Sequence, residues 1–269
     1  MLTLGFSPCP NDTFIFYALV NGVIEARGLD IKYRIEDVET LNRLALQRTL
    51  DVTKISCHAF IHLQDDYQFL SSGAALGRGC GPLIISKSPC TVMEMRDKSI
   101  AIPGELTTAY LLLRLFFDKI FHTKPAKIVT MPFYDIPVSV RDGKVDAGLI
   151  IHESRFTYEE YGLSRTVDLG EWWENETGFP IPLGGIVAKK TLGSKIERIQ
   201  DLIRESVKYA LSNRDEAMPF IKKYSQELST HVINSHIDLY VNNFTIDIAE
   251  EGSASLNELL KRARLADSR

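Results

Sequence analysis

The sequence predicts an α/β protein of two lobes around a central cleft, joined by a hinge. Apolar strands alternate with helical segments in each half of the 269-residue chain, the grammar of parallel sheets. A Gly- and Ala-rich stretch at 73–81 and a Pro/Gly stretch at 180–185 supply two crossings between the halves. From 195 onward the apolar spacing is helical, which gives a sheet something to be covered by. The first lobe is therefore expected to be discontinuous, 1–86 with 186–269, and the second to span 87–185 including the hinge crossing.

Residues 2–6 read as a strand, and the turn Ser7-Pro8-Cys9-Pro10-Asn11-Asp12 follows, with Asp12 as the cap of a helix over 13–20. A second strand at 30–35, a one-faced helix at 38–48 and a third strand at 51–56 complete the β-α-β-α-β pattern. An apolar strand at 82–86 leads to the crossing. The second half has a strand at 99–102, the turn Pro103-Gly104-Glu105, a long helix at 107–121, and strands at 127–131 and 145–151 separated by a short helix. Pro180-Ile181-Pro182-Leu183-Gly184-Gly185 reads as a stiff segment followed by flexible glycines, ahead of a returning strand at 186–189. Helices at 196–211, 216–224, 231–241 and 248–263 are expected to cover the first lobe.

Composition narrows the function. With 45% hydrophobic and 25% charged residues the chain is an ordinary globular protein. A net charge of −4 and no Lys/Arg stripe exclude a nucleic-acid footprint. The N-terminus enters a strand directly, with no basic start and no extended apolar core, so neither export nor membrane association is expected and a cytoplasmic location is. Cys9, Cys57, Cys80 and Cys90 are irregularly spaced and form no CxxC pair, which suits reduced thiols and no structural zinc. His58 and His62 stand four apart without the HExxH pattern and read as ordinary helix residues. Phosphate-cradling Gly loops are missing from the sequence, so no nucleotide cofactor is expected. The oligomeric state is left open.

Ligands of such sheets bind beyond the carboxyl ends of strands, where turns run into helix N-termini with free amides. One turn per lobe fits. In 7–13, Asn11, Asp12 and Thr13 offer polar side chains; in 103–108, Thr107 and Thr108 offer hydroxyls. Facing one another across a hinge, the two turns would grip a small carboxylic acid, although Asp12 and Thr107 also read as plain helix caps. His152 ends the apolar run Ala147-Gly148-Leu149-Ile150-Ile151, at the sheet edge a ligand would use. An imidazole there suits proton abstraction, and apolar neighbours would keep it unprotonated; capping the next helix is the competing reading. In Lys54-Ile55-Ser56-Cys57-His58, Ser56 can donate to a ligand oxygen, whereas nothing in the sequence marks Cys57 as a nucleophile. Trp172-Trp173 is read as hinge packing, and Tyr158-Glu159-Glu160-Tyr161 as a solvated helix face.

Four segments together carry a resemblance: Ser7-Pro8-Cys9-Pro10-Asn11-Asp12-Thr13-Phe14, Asp51-Val52-Thr53-Lys54-Ile55-Ser56, Thr107-Thr108-Ala109-Tyr110-Leu111-Leu112 and Gly148-Leu149-Ile150-Ile151-His152-Glu153. The whole chain resembles the 1,4-dihydroxy-6-naphthoate synthase family of the futalosine route to menaquinone. The resemblance implies a type II periplasmic-binding-protein-like fold. It also implies a lyase that turns cyclic dehypoxanthinyl futalosine into 1,4-dihydroxy-6-naphthoate and dihydroxyacetone, with no metal or organic cofactor. His152 matches the family's proton acceptor. Lys54, Ile55, Ser56 and Cys57, with Thr108 and Ala109, match its substrate-contacting segments. Asn11, Asp12 and Thr107 join them from the turns described above. Two rivals stay open: chorismate dehydratase of the same pathway, distinguished by its substrate, and a non-catalytic binding protein for a small acid, distinguished by leaving its ligand unchanged.

Overall fold

The computed structural model describes residues 1–226 and 229–267. The first half runs β1 (Leu2–Phe6), α1 (Pro10–Val20), β2 (Ile31–Ile35), α2 (Val38–Leu46), β3 (Val52–Ser56), β4 (Tyr67–Phe69) and β5 (Ala75–Gly77). It continues through β6 (Leu83–Ser86), β7 (Ser99–Ile102), α3 (Thr108–Phe121), β8 (Lys127–Thr130), α4 (Ile136–Arg141), β9 (Ala147–Ile150), α5 (Ser154–Thr157), β10 (Ser164–Asp168) and α6 (Leu169–Thr177). The long strand β11 (Ile181–Lys189) precedes α7 (Lys195–Ser212), α8 (Arg214–Tyr224), α9 (Thr230–Tyr240), α10 (Asn243–Ile246) and α11 (Ala249–Asp267).

These strands make two sheets. One has the order β2-β1-β3-β11-β4 with β5 also on β11, and the other the order β10-β6-β9-β7-β8. The β-α-β units pair in parallel as expected, β1 with β2 and β3, and β7 with β8 and β9. Each sheet also contains antiparallel pairs, contributed by β11 in the first and by β6 and β10 in the second. Strand β6, assigned from sequence to 1–86, pairs with β9 and β10 and so belongs to the second sheet. The return crossing is likewise displaced, because β11 is continuous from Ile181 and pairs with β5 before it reaches β3. The changes of sheet therefore fall at 78–82 and 178–180 rather than at 86 and 186.

Pro182 sits in β11 beside a register shift, a place where a residue without an N–H is tolerated. Gly184 and Gly185 are not flexible linkers but points of close approach. A Cβ on Gly185 would lie 1.9 Å from Phe69 Cζ, and one on Gly184 would lie 2.8 Å from the Ile55 carbonyl oxygen.

Helix α1 begins one turn earlier than the sequence suggests. Cys9 is its N-cap residue and Pro10 its first residue, so Asp12 lies inside the first turn and does not cap it. Apolar on nearly every side, α1 is buried among α7, α8 and α9, with Phe14, Ile15 and Phe16 packed against Ile199, Leu202, Ile203 and Val207. The final helix behaves differently from the expected cover of the first lobe. Leu256, Leu259, Leu260 and Ala263 of α11 pack with Leu112, Phe116 and Trp173 of α3 and α6. That same cluster takes in Ile55 and Val187 from the first sheet and Ile84, Ile100 and Leu149 from the second, so one core joins both halves. No helix among the described residues is long and apolar enough to cross a membrane.

Candidate active site

A cleft of about 640 Å³, open solvent at its mouth included, lies between the sheets. It collects Asn11, Asp12, Lys54, Ile55, Ser56, Thr107, Thr108, Ala109 and His152 from four separate stretches of chain. Cys57, expected beside them, does not line it: the side chain is buried in the joint core, where burial pushes the thiol up to about 12 and leaves it unreactive. Its backbone N–H instead donates to the Leu183 carbonyl at 3.1 Å, tying β3 to β11.

On the first-sheet wall the Asp12 carboxylate is fully engaged. Oδ2 accepts from the Ser7 N–H at 3.1 Å and the Ser7 hydroxyl at 2.7 Å, while Oδ1 accepts from Asn11 Nδ2 at 2.9 Å and pairs with Lys54 Nζ at 3.0 Å. Lys54 also donates to the Gly73 carbonyl at 3.0 Å. Both ions of the pair are buried, so their hydrogen bonds are what make the arrangement tolerable. Ser56 is held by Asn42: Asn42 Nδ2 donates to the hydroxyl oxygen at 3.1 Å and Asn42 Oδ1 accepts the Ser56 N–H at 2.8 Å. With its oxygen accepting from Asn42, the Ser56 hydroxyl keeps its proton for another partner.

The opposite wall is the start of α3. Thr107 is the N-cap residue: its hydroxyl donates to the Gly104 carbonyl at 2.7 Å and accepts from the Tyr110 N–H at 3.2 Å. The Thr108 hydroxyl donates to the Leu183 carbonyl at 2.6 Å and accepts from the His58 N–H at 3.2 Å. Both hydroxyls, expected from the sequence to meet a ligand, are thus committed within the protein. What α3 offers the cleft is the first-turn amides of Thr108 and Ala109, which no helical carbonyl can accept. Glu39 of α2 reaches this turn, accepting from the Leu106 N–H at 3.2 Å while pairing with Arg43 at 2.9 Å.

His152 leaves β9 in the left-handed region, at φ +56°, a conformation uncommon for a side-chain-bearing residue. Phe133 meets its ring edge-on at 5.1 Å between centroids. The residue as a whole is half-buried, yet Nε2 is enclosed and meets no hydrogen-bond partner among the described residues. Burial pushes its pKa down to about 4; the Asp12 carboxylate opposes that shift and Lys54 adds to it. At neutral pH the imidazole is therefore uncharged, with the electron pair a base requires.

The sequence reading missed the second imidazole of the cleft. His236, on α9, lines it with Tyr240 one turn later, and its ring stacks on that of His152 with centroids 6.3 Å apart and planes 19° apart. Its Nε2 lies 3.1 Å from Asn11 Oδ1. The signal available was a histidine and a tyrosine on the apolar face of 231–241, which reads equally as core. Ser7, Val38, Gly81, Pro82, Leu183 and Gly184 complete much of the lining. Away from the cleft, α11 brings Asp267 to His58 and His62, where the three put one candidate ligand atom each within 4.8 Å of one another. Arg114 pairs with Asp267 at 2.7 Å and supplies positive charge there.

Comparison with known proteins gives this geometry a family. A family model described as menaquinone biosynthesis matches residues 2–265. The chain belongs to the menaquinone-biosynthesis family. Two relatives sharpen the membership, both named 1,4-dihydroxy-6-naphthoate synthase. The protein from Streptomyces coelicolor is 44% identical over 97% of this chain and 92% of its own length. The one from Thermus thermophilus is 46% identical over 97% of this chain and 93% of its own length. Among solved structures, a Candida albicans protein with the generic periplasmic-binding-protein fold superposes with a TM-score of 0.74 at 14% identity, over 98% of this chain and 90% of that one. The fold of this family member is thus periplasmic-binding-protein-like, as the sequence resemblance implies.

Proposed function

We propose that this chain catalyses the conversion of cyclic dehypoxanthinyl futalosine into 1,4-dihydroxy-6-naphthoate and dihydroxyacetone. The observation that carries the reading is His152, an uncharged imidazole with an unpartnered nitrogen enclosed in a cleft, in a chain 44–46% identical to two synthases of that name.

The substrate's carboxylate binds at the start of α3. Both lobes offer a helix N-terminus to the cleft, but that of α1 already holds Asp12 in its first turn and has no N–H at Pro10. The first turn of α3 carries no acid, and the Thr108 and Ala109 amides face an anion with the helix dipole behind them. Anchored there, the acid presents its ring system to the opposite wall. His152 Nε2 takes the proton from the carbon beside the ketone, and the C–H electron pair becomes an enolate whose oxygen the Ser56 hydroxyl is free to hold. The sugar ring opens at its ring C–O bond, the C–C bond to the three-carbon unit breaks, and the imidazolium returns its proton to that departing unit; the remaining carbocycle enolises to the aromatic diol, which drives the sequence forward, and the two products together hold every atom of the substrate. Enclosure between the lobes keeps water from the enolate.

The test is incubation of the purified protein with cyclic dehypoxanthinyl futalosine and, separately, with chorismate, followed by mass spectrometry. Appearance of 1,4-dihydroxy-6-naphthoate with the first substrate is the expected result. Turnover of chorismate alone would assign a dehydratase, and ligand recovered unchanged would assign a binding protein.

A further inference from the structure

We propose that His236 is a substrate-positioning residue whose tautomer is locked by Asn11, so that its Nδ1 accepts a hydrogen bond from a substrate hydroxyl. The lock follows from a chain of hydrogen bonds with only one consistent set of protons. Asp12 pairs with Lys54 at 3.0 Å and is a carboxylate, which can only accept. The Asn11 atom 2.9 Å from Asp12 Oδ1 must then be the amide nitrogen, as its role as donor requires. That orientation turns Asn11 Oδ1, an acceptor, toward His236 Nε2 at 3.1 Å. Nε2 must therefore carry the proton, and Nδ1 keeps a lone pair.

Nδ1 is buried and meets no hydrogen-bond partner among the described residues, in a side chain 1% exposed that lines the cleft. A buried lone pair without a donor is unfavourable, and in a cleft-lining side chain the donor that relieves it is a ligand hydroxyl or N–H. The two stacked imidazoles are not equivalent. His152 Nε2 meets no partner among the described residues, and Asp12 and Lys54 act on that ring electrostatically. His236 has one nitrogen tied to a neutral amide, and burial followed by the proximity of His152 holds its pKa well below the ordinary value. Such a ring binds a proton donor without taking the proton. The hydroxyl-bearing side of the substrate, the part that departs as the polyol fragment, is the natural donor; this assignment rests on the reaction proposed above, whereas the lock does not.

Long-range proton–nitrogen NMR on the ligand-free protein at pH 7 tests the lock. The chain has six histidines, so His236 is assigned by the signal that His236→Phe removes. The expected spectrum has Nε2 protonated and Nδ1 bare; a protonated Nδ1, in either the other tautomer or the cation, overturns the proposal. Asn11→Leu should then produce a mixture of tautomers, and an unchanged ratio would show that Asn11 does not set it. For the substrate, His236→Phe should raise KM about tenfold while kcat stays within about threefold, as for loss of one hydrogen bond made equally throughout the reaction. An unchanged KM overturns the positioning role and leaves the assigned reaction intact. Should His236→Phe not fold, His236→Gln supplies the assignment and wild-type protein is titrated with dihydroxyacetone in the presence of 1,4-dihydroxy-6-naphthoate: the Nδ1 resonance moves if a hydroxyl of the polyol fragment is accepted there, and an unmoved resonance at saturation overturns the role.

Discussion

The turns that open α1 and α3 occupy matching places in their lobes and are built in opposite ways. At α1 the first turn contains a buried carboxylate, whose charge is balanced by Lys54 and whose lone pairs are taken up by Ser7 and Asn11. At α3 the first turn contains no acid, and its side-chain hydroxyls bond the protein's own carbonyls at Gly104 and Leu183. A helix N-terminus that supplies its own anion has little attraction left for a ligand's, while at α3 the Glu39 carboxylate takes the Leu106 N–H ahead of the helix and leaves the first-turn amides available. The first turn thus holds the His236 imidazole through Asn11, and the second is the one where the proposed reaction places the acid.

The sharpest way to break this contrast is to remove one charge from the α1 turn. Lys54→Met should cost about 3–5 kcal/mol of stability in urea unfolding, because Asp12 is left buried without its cation. A loss below about 1 kcal/mol would mean that the pair is not the element that holds this wall. Next in size is the proposed base. His152→Ala should lower kcat by roughly a hundredfold or more with the fold retained, as expected for loss of a general base. A variant with near-normal turnover would remove His152 from the chemistry, and one that unfolds would make it a structural residue.

The charge state of His152 also predicts a pH dependence. Its folded pKa of about 4 lies below the ordinary histidine value, so kcat/KM should hold on acidification until close to pH 4 and then fall. The sign for stability is the same. Between the two values the unfolded chain binds the proton and the folded one does not, so stability is full above about pH 6.5 and is lost as pH falls toward 4. His58, likewise held at about 4 by burial, adds to this loss. Thermal melts across that window that show no slope would contradict the burial of uncharged imidazoles.

On the other turn the expected effects are smaller. Thr108→Pro removes one first-turn amide at the first helical position, where proline is tolerated, and Thr108→Val removes the hydroxyl alone. The proline variant should show a KM about tenfold above that of the valine variant, the size of one charge-assisted hydrogen bond. Equal KM values would move the carboxylate elsewhere. Smallest is Thr107→Ala, expected to cost about 1 kcal/mol in unfolding as a lost cap. Lys54→Met exceeding Thr107→Ala severalfold is the comparison of the two turns in its most compact form.

Legibility followed the range of the interactions. The strands at 2–6, 52–56, 99–102 and 147–150 were readable because short apolar runs and flanking turn residues are local signals. His152 could be placed at the cleft because a histidine closing an apolar strand is visible in a few consecutive residues. Cys57 was misplaced because the side on which a residue lies just past a strand end depends on how the chain turns there. Strand β6 was given to the wrong half because pairing partners are not written in the strand's own residues. His236 went unnoticed because its link to Asn11 spans 225 positions.

The sequence by itself determined the alternation of strands and helices, the positions of the two turns, the apolar run that His152 closes and the family resemblance. All of these depend on residue type and short-range spacing. Tertiary structure alone decided which strand joins which sheet, that the Thr107 and Thr108 hydroxyls are spent on carbonyls rather than left for a ligand, and that a helix from the last quarter of the chain delivers a second imidazole. Hydrogen-bond partners are settled by proximity in the folded state, and every donor and acceptor in the cleft had several candidates until folding brought one within reach.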